Sequence, residues 1–319
     1  MDLNEDYFEP YDTSISYDFG FNESEIIWPT DEKSPFQLFS AVVTILIFCI
    51  SLPGNSFLLW ILWKEKAWKT TTDILLLQLT VSNLCFTLTL PFTVCNDLDY
   101  WVFGEWVCGV MQCFSILGSR SSLVILTAMS LHYYVSTVQV SCLCAQASRK
   151  MCVPMASIAI WLVCAAASII QSVKSQVHER NICFILVSHT QHLLRLYMEI
   201  CLFFLIPFLT VTFCYVHMWI MIRANRINSH QKPSKLNLGI TVCNFLCWAP
   251  YYFMNFVSTF STLYFYEIEV LYFISYLLCH IYCCLSPLFH IFGAQRCRKY
   301  LANPCNTLSR NRDGSNNGY

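Results

Sequence analysis

Two residues of opposite charge, Arg120 and Glu199, stand inside stretches that hold little other charge. An ionised side chain in an apolar setting has to pair or face a polar cavity. Cys108 lies at the head of one such stretch and Cys183 in the long joint after the fourth, and two such thiols can close a disulfide. The stretch that begins at Cys108 ends in His132-Tyr133-Tyr134, an imidazole beside two phenols. No span or joint assembles a nucleophile with a general base or a cluster of metal ligands, so no catalytic residue, cofactor or metal is expected. The chemistry available is charge pairing, cross-linking and recognition.

The elements that must position these residues follow from composition. The chain has 319 residues, of which 56% are hydrophobic and 12% charged, and its mean hydropathy is +0.49. Seven apolar runs are legible, at 36–63, 74–95, 107–136, 152–173, 192–222, 236–260 and 268–292. About 20 apolar residues cross a hydrocarbon core, and the short alternating segments of a membrane barrel are absent. The fold class expected is an all-α membrane protein, a seven-transmembrane helix bundle with a short amphipathic eighth helix over Gln295–Leu301. Three parts are expected: a tail at 1–35, the bundle at 36–293, and the amphipathic helix with a short tail at 294–319.

Basic residues gather in the joints after the first, third and fifth runs and in the C-terminal tail, Lys64, Lys66, Arg149, Lys150, Arg223 and Arg298 among them. By the positive-inside rule these joints face the cytoplasm, the N-terminus faces outward, and the plasma membrane is the expected location. Residues 1–35 are acidic and lack an apolar core, which argues against a cleaved signal peptide and for a disordered tail. In it Tyr7, Tyr11 and Tyr17 stand beside acids such as Asp12, a context for sulfation and for capture of a basic ligand; the alternative is a merely solvated tail. Asn22-Glu23-Ser24 is a glycosylation sequon on the outer side.

Cys108 and Cys183 both fall on that oxidising side, so a Cys108–Cys183 disulfide is predicted, contributing about 4 kcal/mol in the chain-entropy model. Arg120 and Glu199 lie at membrane depth, where a lone charge costs at least about 2.5–3.5 kcal/mol. They are predicted to meet, either as a structural ion pair or as part of a ligand cavity. Pro53, Pro91, Pro207, Pro250 and Pro287 fall inside spans, where each deletes a backbone hydrogen bond and bends its helix.

Landmarks in every span resemble the rhodopsin-type G-protein-coupled receptors. They are Gly54-Asn55, Pro91, Cys108, Trp161, Pro207 with Tyr215, Cys247-Trp248-Ala249-Pro250, and Pro287. Thr89-Leu90-Pro91-Phe92, the Trp101–Gly104 loop and the acidic tyrosine-bearing tail narrow the resemblance to chemokine receptors. Gln191-His192, Phe213–Val216, Cys283-Cys284 and His132 point to the XC type. The resemblance implies a basic chemokine whose body rests on the tail while its N-terminus enters the bundle. Beside Arg120 and Glu199, Tyr276, Glu267 and Glu269 would then line the ligand site. It also implies a heterotrimeric G protein of the inhibitory type, chemotactic signalling, and arrestin and membrane lipids as further partners. Nucleic acid is not among them.

Departures from the family pattern concentrate at the switches. Asn83 and Ser286 stand where relatives have aspartate and asparagine, leaving the sodium pocket degenerate. Tyr276 replaces the usual acid of the seventh span, and His290 replaces a tyrosine. Tyr133 replaces the arginine that reaches the G protein, so that only Tyr215 of its supporting set remains. The coupling group is thus His132, Tyr133, Tyr134, Tyr215, Trp248, Pro250, Ser286, Pro287 and His290. One reading is a signalling receptor with altered switches. A second is an atypical receptor that captures chemokine without signalling, and a third is a receptor for another peptide.

Overall fold

The computed structural model describes residues 35–66, 68, 70–98, 100–138, 143–178, 182–186, 188–224, 235–260, 266–293 and 295–302. The first span is α1 (Pro35–Lys64) and the second divides into α2 (Thr71–Thr87) and α3 (Leu90–Asp97). The third is α4 (Gly104–Val138) and the fourth α5 (Leu143–Ser172), followed by an antiparallel hairpin of β1 (Ser175–His178) and β2 (Ile182–Ile185). The fifth span consists of α6 (His189–Met198), a π-helical segment (Glu199–Leu205) and α7 (Ile206–Arg223). The sixth and seventh are α8 (Lys235–Phe260) and α9 (Tyr266–Gly293), and α10 (Gln295–Ala302) closes the described chain.

Six of these spans are long and apolar enough by composition alone to cross a membrane. The remaining one, α8, has the length at 26 residues but is diluted by Asn237, Asn244 and Asn255. The bundle is a seven-transmembrane fold with a short amphipathic eighth helix. Large apolar side chains such as Trp63, Ile170 and Phe213 point outward, as expected where lipid is the solvent. The hairpin is a small addition to the all-α expectation, and it carries Cys183 in register with Val177.

Because lipid tails are as apolar as leucine, helices in a bilayer associate through close packing and small polar residues. Gly54 lies where an added Cβ would come within 3.1 Å of Pro287 Cβ, letting α1 approach α9. Asn55 Nδ2 and Ser51 Oγ then donate to Cys283 O at 2.9 and 3.2 Å. Between α2 and α4, Ser82 Oγ donates to Gly118 O at 2.7 Å and shares a 2.6 Å hydrogen bond with Ser121 Oγ. A Cβ on Gly118 would lie 2.7 Å from Phe86 N and 2.8 Å from Ser82 O, both backbone atoms. Gly118→Ala is therefore expected to force the two helices apart at a cost of about 1–3 kcal/mol. Thermal inactivation of the detergent-solubilised protein would read this as a lowered midpoint; an unchanged midpoint would refute the tight crossing.

Two of the prolines act by breaking the helix register rather than by bending it. The second span interrupts at Leu88-Thr89, one turn before Pro91, and Thr89 Oγ1 holds the turn by donating to Phe86 O at 2.7 Å. In the fifth span Pro207 cannot donate, and the turn before it widens: Ile206 N–H bonds to Cys201 O, five residues back. That π segment begins at Glu199.

At the end of the bundle opposite the hairpin, Cys297 of α10 is buried in a core with Leu58, Leu62 and Leu126. Lys64 Nζ stands over both the Trp60 and Tyr300 rings, at 4.8 and 5.1 Å, tying α10 to the end of α1 by cation–π contacts.

Candidate functional site

The site lies beneath the hairpin. Cys108 at the head of α4 is bonded to Cys183 of β2, with Cα atoms 5.6 Å apart. Asn96 of α3 clamps the same residue from the other side: its Oδ1 accepts from Cys183 N at 2.7 Å and its Nδ2 donates to Cys183 O at 3.1 Å. Trp101, buried against the disulfide, donates from Nε1 to Gly104 O at 3.1 Å. Gly104 has φ +78°, a left-handed conformation that glycine adopts without strain and that starts α4. The hairpin is thus held at one covalent and two hydrogen-bonded points over the bundle.

Below it is a cavity of about 170 Å³ whose lining draws on α2, α3, α4, α5, the hairpin, the fifth span, α8 and α9. Pockets for whole small ligands run to about 300–1,000 Å³, so this space suits the tip of a larger ligand. Its floor is charged. Arg120 Nη2 donates to Glu199 Oε1 at 2.5 Å and to Gln171 Oε1 at 2.6 Å. Arg195, one helical turn before Glu199, places Nε 3.3 Å from the same Oε1. The Arg120 guanidinium also stacks over Phe203, 4.9 Å from its centroid, and the residue is only 4% exposed. The π segment positions this arrangement, since Glu199 is its first residue.

The walls are aromatic. Trp248 packs on Tyr252 and Tyr282 with centroids 5.8 and 5.3 Å apart. Tyr276 meets His280 edge-on at 4.4 Å, and His280 Nδ1 lies 2.7 Å from Tyr276 O. A backbone carbonyl only accepts, so the hydrogen sits on Nδ1.

Of the residues singled out from sequence, Arg120, Glu199, Cys183, Trp248 and Tyr276 come together in this cavity. Tyr7, Tyr11, Asp12, Tyr17 and Asn22 lie outside the described residues, as do the side chains of Glu267 and Glu269. Sequence reasoning missed Arg195, Gln171, Asn96 and Asp97, all of which line the cavity. The four-residue spacing of Arg195 and Glu199 was a usable signal; Gln171 offered none.

A second cluster occupies the opposite end. Tyr134 packs against Phe213 and His217 with centroids 5.9 and 5.6 Å apart, while Tyr133 is half-buried beside His132 at 6.2 Å. The Tyr215 hydroxyl accepts from Asn237 Nδ2 at 3.0 Å, and His290 of α9 is half-buried. Between the two ends, Asn83 Nδ2 reaches Asn55 Oδ1 at 3.5 Å. Asn83 Oδ1 and Ser286 Oγ are buried with no hydrogen-bond partner among the described residues.

A seven-span bundle with a disulfide-pinned hairpin over a central cavity defines a class of membrane receptors. The family model for the 7 transmembrane receptor (rhodopsin family) matches residues 54–290, and the chain belongs to that family, one of receptors and not of enzymes. Within it, chemokine receptors are among the most similar relatives. The chain is 29% identical to chemokine XC receptor 1 of Homo sapiens over 272 residues, 83% of this chain and 80% of that receptor. It is 27% identical to C-C chemokine receptor type 8 of Mus musculus over 279 residues, 83% and 78% of the two chains. To atypical chemokine receptor 2 of Mus musculus it is 26% identical over 303 residues, 89% and 79%.

Proposed function

We propose that this protein is a plasma-membrane receptor for a basic chemokine of the XC type, bound at an outward-facing hairpin end, and that it signals chemotaxis through an inhibitory-type G protein. The observation that carries this reading is the cavity under the Cys108–Cys183 hairpin, sized for the tip of a protein ligand and floored by a buried charge cluster. Tyr7, Tyr11, Tyr17 and Asp12 of the acidic tail would hold the body of the ligand, with Glu267 and Glu269 flanking the entrance and Asn22 glycosylated. His132, Tyr133, Tyr134 and Tyr215 would face the G protein, with arrestin and inner-leaflet lipids meeting the same cytoplasmic side.

A second reading is favoured by Tyr133. A phenol offers neither a fixed charge nor a fork of donors, and the Tyr215 hydroxyl is engaged by Asn237. On this reading the receptor captures and internalises chemokine without activating a G protein. Cells bearing the full-length protein, given an XC-type chemokine, separate the two when G-protein dissociation and ligand uptake are read together. Dissociation with uptake supports signalling, and uptake alone supports capture. Absence of both would remove the chemokine as ligand.

The degenerate sodium pocket yields a prediction of its own. Asn83 and Ser286 present neutral oxygens, whereas a hard cation favours carboxylate. Exchanging sodium for choline at constant ionic strength is expected to leave the thermal midpoint of the purified protein within about 1 °C. A sodium site filled at ten times its Kd would add about 1.4 kcal/mol, or several degrees.

A further inference from the structure

The hairpin is two strands wide, so each strand has a free edge, and the hydrogen bonds fix which residues face it. In an antiparallel pair, residues that exchange both backbone bonds alternate with residues that exchange none and turn their N–H and C=O outward. Cys183, opposite Val177, is of the second kind, because its N–H and C=O go to Asn96 at 2.7 and 3.1 Å. Leu186 N–H donates to Lys174 O at 2.8 Å, which sets the same alternation from the other end. Ile185, opposite Ser175, therefore also turns its peptide groups away from β1. Among the described residues nothing bonds to its N–H or its C=O.

That edge does not face open water. Ile185 is 5% exposed and lines the cavity together with Cys183, and of the two strands only β2 contributes to the lining. A buried backbone donor and acceptor without partners is costly, and an unpaired strand edge is a template for another chain. Asn96 shows how the edge is satisfied one rung away. Its carboxamide offers Cys183 one acceptor and one donor, as the peptide of a neighbouring strand would. Two residues along, about 7 Å at the rise of a strand, Ile185 holds out the same two groups at the cavity.

We infer that the free edge of β2 is a docking site for an extended peptide segment, which adds to the hairpin as a third strand and exchanges one N–H and one C=O with Ile185. The inference rests on the reading of this cavity as the ligand site. It adds a mode of recognition to that reading: the entering segment is held through its backbone, by strand addition. Asn96 sets the register, since it already occupies the rung at Cys183 and pairing starts beyond it. A neighbouring strand lies about 4.8 Å away, so the segment runs along the rim of the cavity. Proline is excluded from the paired position because it has no N–H to give.

The test uses the purified full-length protein and an end-capped pentapeptide of alternating Val and Thr, residues that favour an extended backbone. A second version is N-methylated on alternate amides, which blocks one edge of the strand, and a third on every amide, which blocks both. Binding is titrated through the shift in thermal midpoint. A docked strand uses one edge, so the second version should bind like the parent and the third at least about tenfold weaker, the equivalent of one backbone hydrogen bond. On the protein side, Ile185→Pro removes the outward N–H and leaves the bonds between β1 and β2 in place, a position where a strand tolerates proline. It should weaken the parent peptide about tenfold more than Ile185→Ala, which trims the side chain and keeps the N–H. The methylated peptides decide the question should Ile185→Pro fail to fold. Binding by none of the peptides, equal binding of the parent and the fully methylated version, equal losses in both methylated versions, or equal effects of Ile185→Pro and Ile185→Ala would overturn the inference. No chemokine enters this assay. A negative chemokine result in cells would therefore remove the proposed ligand while leaving the strand edge to stand or fall here.

Discussion

Glu199→Gln is expected to cost more folded protein than Arg120→Met, although the two side chains form one ion pair. A simple pair would give the opposite or an equal result, because breaking a buried pair from either side strands one charge at about 3–5 kcal/mol. Here the cluster has three members. Arg120→Met leaves Glu199 with Arg195, 3.3 Å away, so the carboxylate keeps a counter-ion and the loss is nearer about 1–2 kcal/mol. Glu199→Gln leaves Arg120, 4% exposed, with the neutral Gln171 Oε1 at 2.6 Å, and takes from Arg195 the carboxylate 3.3 Å away. The double change Arg120→Met with Glu199→Gln removes the worst of that strain and should recover part of the loss, the mark of coupled sites in a double-mutant cycle. Fluorescence-detected size-exclusion of detergent extracts, with thermal inactivation of each variant, measures all three. If Glu199→Gln proved as well folded as Arg120→Met, Arg120 would not depend on this carboxylate.

The same cluster shows how far the sequence could be read. Arg120 and Glu199 were legible because charges within apolar runs are costly, and each required a partner. Arg195 follows Leu194 and precedes Leu196 in α6 (HTQHLLRLYM); its spacing of four from Glu199 was a signal for a third member, but a basic side chain near a span end is ordinary, which hid it. The spans themselves were legible from length and hydropathy. Their irregularities were only half so. Pro91 and Pro207 announced a lost hydrogen bond but not the remedy, which in one case is a broken helix held by Thr89 and in the other an added residue in the turn above. The hairpin was invisible because SQVH and ICFI are four residues each, too short for an alternating pattern to show. Its position is imposed by Cys108 and Asn96 rather than by strand propensity.

These irregularities share a location, and that is an argument about function. The break after Thr87, the π segment at Glu199 and the hairpin all border the cavity, whereas α4 runs unbroken for 35 residues, about 52 Å, from the disulfide to the opposite end. Departures from regular backbone are retained where they aim side chains at a site. The regular helix holds Arg120 of the floor and the cluster at His132-Tyr133-Tyr134 on one continuous element.

At that far end the expected result is a gain. Tyr133→Arg is expected to raise chemokine-driven G-protein dissociation by about tenfold or more, the equivalent of one hydrogen bond to a charged group at about 1.5–3 kcal/mol. Tyr133 is half-buried on the last turns of α4, so a longer guanidinium there can extend beyond the ring it replaces. Steadying it from Tyr215 requires that hydroxyl to share or give up its hydrogen bond from Asn237 at 3.0 Å, so the gain rests chiefly on the guanidinium itself. Tyr133→Lys supplies the same charge without the planar fork and should recover only a fraction of the gain. Ligand uptake, which on the proposed reading depends on the hairpin end, should be equal in all three proteins. Dissociation that stays at background in Tyr133→Arg while uptake persists would move the defect to α9. There His290 and Ser286 are the altered residues, and the combined Tyr133→Arg and His290→Tyr variant would restore two aromatic hydroxyls around the guanidinium in place of one.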